Sequence, residues 1–441
     1  MTALDAPNDH AANDAPPDGV ERHASTLPVV RSGGQGLKPL EHPADRHGDG
    51  FAGTPPTATF ADEIERLPFG DLLDVAANAT PQRVDRALAA HPLERTMHDF
   101  AVLLSPAATE RLPQMAEASR RLTIARFGKT MRMYAPLYLS NECLTTCAYC
   151  GFARELPIAR RTLGPEETLE EARHLLRQGF RSILLLTGEH ERLTGVEFLE
   201  DRIALLAREV PQLSIEVQVW SEDEYRRLQR AGCEGVVIYQ ETYHPDAYRR
   251  VHLAGRKRHF RWRLFGPERA ARAGMRRLGI GALFGLHDDW RYEAIAVAAH
   301  ARFLMKRYWR SQVTVSVPRM RPSAAGFQPQ TLLGDRDLVQ LICALRLALP
   351  DGGIVLSARE DAALRDGLFQ VGVTHTSAGS HTDPGGYEHP DEATEQFEVA
   401  DTRPPQEVAA KLRELGYDPV WEDWSRLTPS AELMLSRDRG R

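Results

Sequence analysis

The sequence predicts an α/β protein built on a (βα)8, TIM-like barrel, with an N-terminal helical lead-in and a C-terminal extension. Three observations carry that expectation. From about Met131, eight short apolar runs of β type alternate with helical patterns, the rhythm of right-handed βαβ units and a parallel sheet. From Phe60 to Gly128 the pattern is helical instead. Directly after the first apolar run, three of the five cysteines fall within eight positions, at a strand end, where a barrel carries its chemistry.

Residues 1–57 are rich in Asp, Pro, Gly, His and Ala and poor in large apolar side chains. Such a stretch buries too little surface to offset its ordering entropy, so a disordered arm is expected. Residues 58–130 form the lead-in. Thr80-Pro81 reads as an N-cap followed by proline at the first helical position. Ser105-Pro106 repeats the device and opens a helix with Leu112, Met115, Ser119, Leu122 and Ala125 on one face; Gly128 stops it. The barrel is expected over 131–380. Its strands are Met133–Ser140, Ser182–Thr187, Ser214–Trp220, Gly235–Gln240, Leu278–Leu286, Val313–Pro318, Ile354–Ala358 and Val371–Ser377. Helical patterns lie between them at Pro165–Gln178, Gly195–Glu209, Glu222–Ala231, Phe260–Ala273, Arg291–Tyr308 and Asp335–Leu349. Residues 381–441 form the extension, with Asp383-Pro-Gly-Gly-Tyr387, an acidic stretch and a helical period over Pro404–Leu415. A structural cap is its expected role, with docking on a partner as the alternative.

Composition narrows the function. The chain has 441 residues, 42% of them hydrophobic, and a net charge of −6. That leaves no basic footprint for nucleic acid. No run of about twenty apolar residues suits a membrane span, and the N-terminus lacks a signal-peptide pattern. Clustered cysteines without a pairing framework fit a reducing compartment. A soluble cytoplasmic protein is expected.

The cysteines stand as Cys143-Leu-Thr-Thr-Cys147-Ala-Tyr-Cys150, a C-x3-C-x2-C spacing, whereas Cys233 and Cys343 stand alone. Clustered thiolates in a short loop hold a metal. Zinc takes four ligands, and no further Cys or His follows at short spacing; a zinc site borrowing a distant ligand is the alternative. A [4Fe–4S] cube held by three cysteines keeps one iron open to a small molecule. With Tyr149 just before the last cysteine, this loop resembles the signature of the radical S-adenosylmethionine (SAM) superfamily. The resemblance implies that SAM chelates the open iron and is cleaved to methionine and a 5′-deoxyadenosyl radical. It also implies a barrel of six or eight strands.

The other strand ends extend the resemblance. Thr187-Gly188-Glu189-His190 is similar to the segment by which radical SAM barrels hold the SAM amino group, with Glu189 as acceptor. In Tyr239-Gln240-Glu241-Thr242-Tyr243-His244, polar groups such as Gln240 and Glu241 are candidates for the ribose and methionyl end. Arg263 is the candidate for the SAM carboxylate, since a planar, always-charged fork suits one. Pro318-Arg-Met-Arg-Pro322, Ser357-Ala-Arg-Glu360 and Ser377-Ala-Gly-Ser380 end three successive strands. Their basic and hydroxyl groups suggest an anionic substrate group on that side; pairing of Arg359 and Glu360 with neighbours is the plainer alternative.

Taken in order, these blocks, with Ala135–Asn141, Gly281–Leu286 and Asp383–Tyr387, resemble the 2-iminoacetate synthase family over roughly Phe60 to Leu427. That family comprises the tyrosine lyases of thiamine thiazole biosynthesis. The resemblance implies cleavage of the Cα–Cβ bond of L-tyrosine to 2-iminoacetate (dehydroglycine) and p-cresol, after hydrogen abstraction from the amino group. It implies that dehydroglycine passes to thiazole synthase and that a flavodoxin or ferredoxin donates electrons. It places Tyr138, Arg359 and Ser377 at the substrate's amino-acid end. It names no base near the phenol. The hydrogenase-maturation relative carries a second cluster on C-terminal cysteines; no cysteine follows Cys343 here. A lyase of another aromatic amino acid, such as tryptophan, is the alternative within the class. A non-catalytic zinc-stabilised binding protein is the alternative outside it.

Overall fold

The computed structural model describes residues 50–422 apart from 54, 55, 57 and 330. Most of the expected N-terminal arm, and the end of the extension, lie outside the described residues. At residue 50 the chain already packs: the Gly50 carbonyl accepts from the Glu222 amide at 2.7 Å, and Phe51 is buried.

The lead-in is helical. Thr80 caps Pro81–Ala89, its hydroxyl accepting from the Arg83 amide. Ser105 does the same for Ala108 at 3.2 Å. The single helix expected after Ser105 is two, Pro106–Thr109 and Leu112–Phe127. Pro113 is the cause: it has no N–H to return to the Thr109 carbonyl, and its ring crowds that oxygen. The buried stripe runs Met115, Ser119, Thr123, while Ala125, expected on that face, is exposed. Gly128 ends the helix at a φ of 69°, as a glycine can.

The strands are β1 (Thr130–Ser140), β2 (Thr146–Cys147), β3 (Ser182–Thr187), β4 (Gln212–Glu216), β5 (Cys233–Glu241), β6 (His252–Ala254), β7 (Arg277–Ala282), β8 (Gln312–Ser316), β9 (Gly353–Leu356), β10 (His375–Ser377) and β11 (Asp418–Val420). All eight expected barrel strands form, in the parallel order β1-β3-β4-β5-β7-β8-β9-β10. Pairing of β10 with β1, Tyr134 opposite Ser377, closes the barrel. β11 adds in parallel to the start of β1.

Side chains alternate along each strand. On β1, Met133, Ala135, Leu137 and Leu139 enter the main hydrophobic core. Tyr134, Pro136 and Tyr138 face a cavity inside the barrel. On β3, Ile183 and Leu185 join the core, while Leu184 and Leu186 face the cavity. Gly281 on β7 lets the Tyr239 ring lie across it, because a Cβ there would stand 2.9 Å from the ring.

Between strands the expected helices form, and a helix not expected, Pro245–Val251, lies between β5 and β6. Phe260–Ala273 is two helices, Phe260–Leu264 and Gly266–Arg272, again because a proline, Pro267, interrupts the backbone ladder. A short helix, Ala362–Leu368, precedes β10; at seven residues it shows too little periodicity to be read from sequence.

The extension crosses the barrel mouth. Gln396, Phe397 and Val399 line the cavity. Asp401 forms a fully buried ion pair with Arg365, and the Arg365 guanidinium also donates to Thr376 Oγ1 at 2.7 Å. Helix Pro405–Glu414 then leads to β11. Among the described residues no helix is long and apolar enough to cross a membrane.

Candidate active site

The three-cysteine loop leaves β1 at its C-terminal end and is braced from every side. The Leu144 amide donates to the Glu189 carbonyl at 2.8 Å. β2, inside the loop, pairs antiparallel with β6. The Arg160 guanidinium donates to the carbonyls of Asn141, Phe152 and Ala153. Three glycines make this possible. A Cβ on Gly188 would strike the Glu142 carbonyl and stand 3.1 Å from Cys143 Cβ; one on Gly255 would stand 2.8 Å from Thr145 Cα; one on Gly151 would strike the Gln396 carbonyl.

All five cysteines are free thiols. Burial raises the Cys143 thiol, and the charge of Cys150 raises it further. Burial also pushes Cys147 well up; Lys257 opposes this, while Cys150 and Cys143 add to it. Three neighbouring sulfurs, one buried and two half-buried, suit a site where a cation holds them as thiolates. Their surroundings suit thiolates too: Cys143 Sγ accepts from the Thr145 amide at 3.4 Å, and Cys150 Sγ accepts from the Phe152 amide at 3.4 Å and from Gln396 Nε2 at 3.6 Å. Among the described residues no three Cys, His, Asp or Glu side chains are gathered for one metal ion. A cube asks for a wider spacing, since each cysteine binds a different iron.

Next to the loop lies a charged group of four. Glu189 follows β3 and pairs with Arg263 Nη1 at 3.2 Å. Glu241 ends β5 at a bulge, with its φ at 71°, a left-handed conformation that costs a non-glycine about 1–2 kcal/mol. Its carboxylate meets Lys257 at 2.8 Å and Arg263 Nη2 at 3.7 Å. Arg263 Nε donates to the Tyr239 carbonyl at 2.7 Å. Burial works against both charges of the Glu241–Lys257 pair, but their attraction prevails, holding the carboxylate low and the amine high. Three residues expected at SAM, Glu189, Glu241 and Arg263, thus come together. Gln240 is buried and turned away, donating to the Phe260 carbonyl at 3.4 Å. Tyr149 bonds His252 Nε2 at 3.0 Å. His252 Nδ1 faces the Tyr248 carbonyl, and burial holds this imidazole neutral. Nδ1 therefore donates and Nε2 accepts from the Tyr149 hydroxyl.

Two cavities of about 550 Å³ and 540 Å³ adjoin at the mouth and share Glu216, Tyr239, Pro318, Arg359, Gln396 and Phe397 as walls. The second reaches Tyr149, Cys150, Glu241 and Lys257. The first holds all three residues expected at the substrate: Tyr138, Arg359 and Ser377. The Arg359 guanidinium carbon lies over the Phe397 ring, 3.4 Å from its centroid, and the side chain makes no hydrogen bond or ion pair among the described residues. Burial disfavours its charge. Its neighbours at the strand ends differ: Arg319 is occupied by Glu360 and Asp335. The plainer reading of paired strand-end groups thus holds for Glu360 and not for Arg359. Ser377 stands opposite Tyr134 in the β1–β10 pairing, and both line the first cavity.

Sequence reasoning missed three residues here. Glu216, at the end of β4, faces both cavities. Burial, and then Glu241, push its carboxyl up to about 7; among the described residues it has no hydrogen bond or ion pair. A lone carboxylate in the apolar run Leu213–Trp220 was the available signal. Lys257 and Gln396 gave none: Lys257 is brought in on a single 3-10 turn, Arg256–Arg258, and Gln396 from the extension.

Residues 137–298 match the model of the radical SAM superfamily, and residues 316–418 that of the biotin and thiamin synthesis associated domain. The chain is 42% identical over 377 residues to 2-iminoacetate synthase of Escherichia coli (strain K12), covering 86% of this chain and 100% of that one. It is 41% identical over 368 residues to 2-iminoacetate synthase of Salmonella typhimurium, covering 83% and 97%. Among solved structures, HydG, a maturase of the [FeFe]-hydrogenase, is similar with a TM-score of 0.78 at 28% identity, covering 86% of this chain and 85% of that one. HydG from Carboxydothermus hydrogenoformans is similar with a TM-score of 0.71 at 32% identity, covering 82% of each.

Proposed function

This chain belongs to the 2-iminoacetate synthase family of radical SAM enzymes, and from that membership we propose how its active-site residues divide the work. The protein is a carbon–carbon lyase that cleaves L-tyrosine to 2-iminoacetate and p-cresol. Its cofactors are a [4Fe–4S] cluster and SAM, which together supply a 5′-deoxyadenosyl radical when bound. Cys143, Cys147 and Cys150 would hold the cluster. Glu189, Glu241 and Arg263, with Lys257, would hold SAM, aided by Tyr149. Because Arg263 is already engaged by Glu189, it serves SAM by fixing that carboxylate as well as by its own charge. Gln240 supports this wall from behind.

The observation that carries the substrate assignment is the unpaired Arg359 fork in a cavity shared with Glu216. A half-buried guanidinium without a hydrogen-bond or ion-pair partner among the described residues calls for an anion. The α-carboxylate of tyrosine supplies one, with Ser377 alongside and the Tyr138 oxygen facing the amino group of the same amino-acid end. Glu216 offers the complementary charge to the α-ammonium. It takes one proton from it, giving a neutral amine and a neutral carboxylic acid, so that the hydrogen atom then leaves an uncharged N–H. A carboxyl near 7 is matched to that transfer. The walls do the rest: a primary radical reacts with most C–H bonds in reach, so orientation and exclusion matter more than acid–base strength. The cap formed by Gln396 and Phe397 closes the site against water.

Delivery of 2-iminoacetate to thiazole synthase is part of the proposal. The biotin and thiamin synthesis associated region supports it, as does the instability of an imine in water. Reduction by a flavodoxin or ferredoxin, in a cytoplasmic compartment that keeps the five thiols free, completes it. The test is an anaerobic assay of the reconstituted protein with SAM, reductant and L-tyrosine. 5′-Deoxyadenosine, p-cresol and glyoxylate, the hydrolysis product, are expected together. Deoxyadenosine without p-cresol, or p-cresol's indolic counterpart from tryptophan at equal rate, would overturn the substrate.

A further inference from the structure

Gln396 belongs to the extension, yet its side chain joins the two halves of the active site. Its Oε1 accepts from the Tyr138 hydroxyl at 2.8 Å. Its Nε2 donates to Cys150 Sγ at 3.6 Å. The backbone holds it there: its amide donates to the Thr382 carbonyl at 2.9 Å, and its carbonyl lies so close over Gly151 that no side chain fits beneath. The amide has one workable orientation. A thiolate only accepts, so the NH2 end must face Cys150, and the oxygen is left to take the Tyr138 O–H. The Tyr138 oxygen then faces the cavity as an acceptor.

We propose that Gln396 is a positioning residue that links the cluster thiolate Cys150 to Tyr138, so that the cluster's reduction potential responds to tyrosine in the cavity. The inference rests on Tyr138 lying at the substrate. The physical path is short. A substrate N–H donated to the Tyr138 oxygen polarises that hydroxyl, which polarises the amide, which strengthens the N–H to sulfur; hydrogen bonds in series reinforce one another. A stronger N–H···S bond favours the more negative, reduced cluster and raises its potential. The extension thereby does more than close the barrel: it makes reduction easier when substrate is present, so that SAM is spent on turnover.

The test is a redox titration of the anaerobically reconstituted protein, followed by electron paramagnetic resonance without SAM, with and without L-tyrosine. In the wild type, tyrosine is expected to raise the reduced-to-oxidised ratio at fixed potential about threefold to tenfold, tenfold being about 59 mV for one electron. Gln396→Leu is expected to start from a lower potential and to show no response to tyrosine. A Gln396→Leu protein with wild-type potential, or with the tyrosine response intact, would overturn the proposal. Should that variant load its cluster poorly by iron content, Tyr138→Phe decides: it removes only the hydroxyl, and a retained response overturns the link while a lost one supports it. Wild-type protein that forms p-cresol but shows no tyrosine-dependent potential overturns this inference alone. Wild-type protein that forms no p-cresol overturns the lyase assignment instead.

Discussion

Arg359→Ala isolates the substrate's anchor from the rest of the site. The guanidinium has no hydrogen bond or ion pair among the described residues and contacts the Phe397 face at 3.4 Å. Its removal therefore orphans no protein donor or acceptor. The free enzyme loses one stacking contact, worth about 0.5–2 kcal/mol, and Glu216 loses a neighbouring positive charge. The complex loses much more, since the tyrosine carboxylate would be buried with no counter-charge. Truncating one partner of a buried, hydrogen-bonded charge pair costs about 2–5 kcal/mol. At about 1.4 kcal/mol per decade, that is a KM for tyrosine raised by a factor of about 30 to several thousand. Deoxyadenosine formed without tyrosine should survive, because Cys143, Cys147, Cys150 and the Glu189–Arg263 pair are untouched. Arg359→Lys should recover part of the loss by charge, but not all, since an ammonium has no planar fork. The measurement is p-cresol formation against tyrosine concentration, with deoxyadenosine counted in parallel. A KM for Arg359→Ala within about threefold of wild type would refute the assignment, because about 0.65 kcal/mol is too little for a carboxylate anchor.

Other perturbations test other parts of the site. Cys143→Ala, Cys147→Ala and Cys150→Ala should each abolish SAM cleavage, while Cys233→Ala, whose buried thiol bonds the Gly235 carbonyl at 3.2 Å, should retain it; deoxyadenosine analysis separates the two groups. Gly188→Ala should fold but load little iron, because its Cβ strikes the Glu142 carbonyl in the cluster loop; wild-type iron content would argue against that close approach. Glu216 is raised to about 7, so it is neutral on the acid side, and tyrosine affinity should fall about tenfold per pH unit below that point. Glu216→Gln should lose this limb; an unchanged pH profile would remove Glu216 from the ammonium. Asp401→Ala leaves the buried Arg365 without its carboxylate and should cost about 3–5 kcal/mol of stability, read by urea denaturation.

The barrel was legible because each strand announces itself locally, as a short apolar run whose alternate residues face core and cavity. Helix ends were less so. Pro113 and Pro267 broke two helices, and both prolines are plain in the sequence. Each sits near the start of its second helix, where proline is tolerated, so the pattern alone did not show the interruption. Boundaries also hid chemistry. With the third expected strand extended to Trp220, Glu216 reads as a residue within a strand; with β4 ending at Glu216, it is a strand-end carboxylate at the cavity. Arg359 and Arg319 show a different limit. Both are arginines at strand ends, and sequence treats them alike. Only the packing reveals that Arg319 is occupied by Glu360 and Asp335, whereas Arg359 makes no hydrogen bond or ion pair among the described residues. Gln396 marks the furthest limit. Its partners are 258 and 246 residues away in sequence, and no spacing rule connects a glutamine in a loop to Tyr138 and Cys150. A site assembled from one strand end per βα unit can be read unit by unit. A residue that closes the site from the extension acquires its role only when the chain has folded back over the barrel, so the cap must be examined for chemistry as closely as the strand ends.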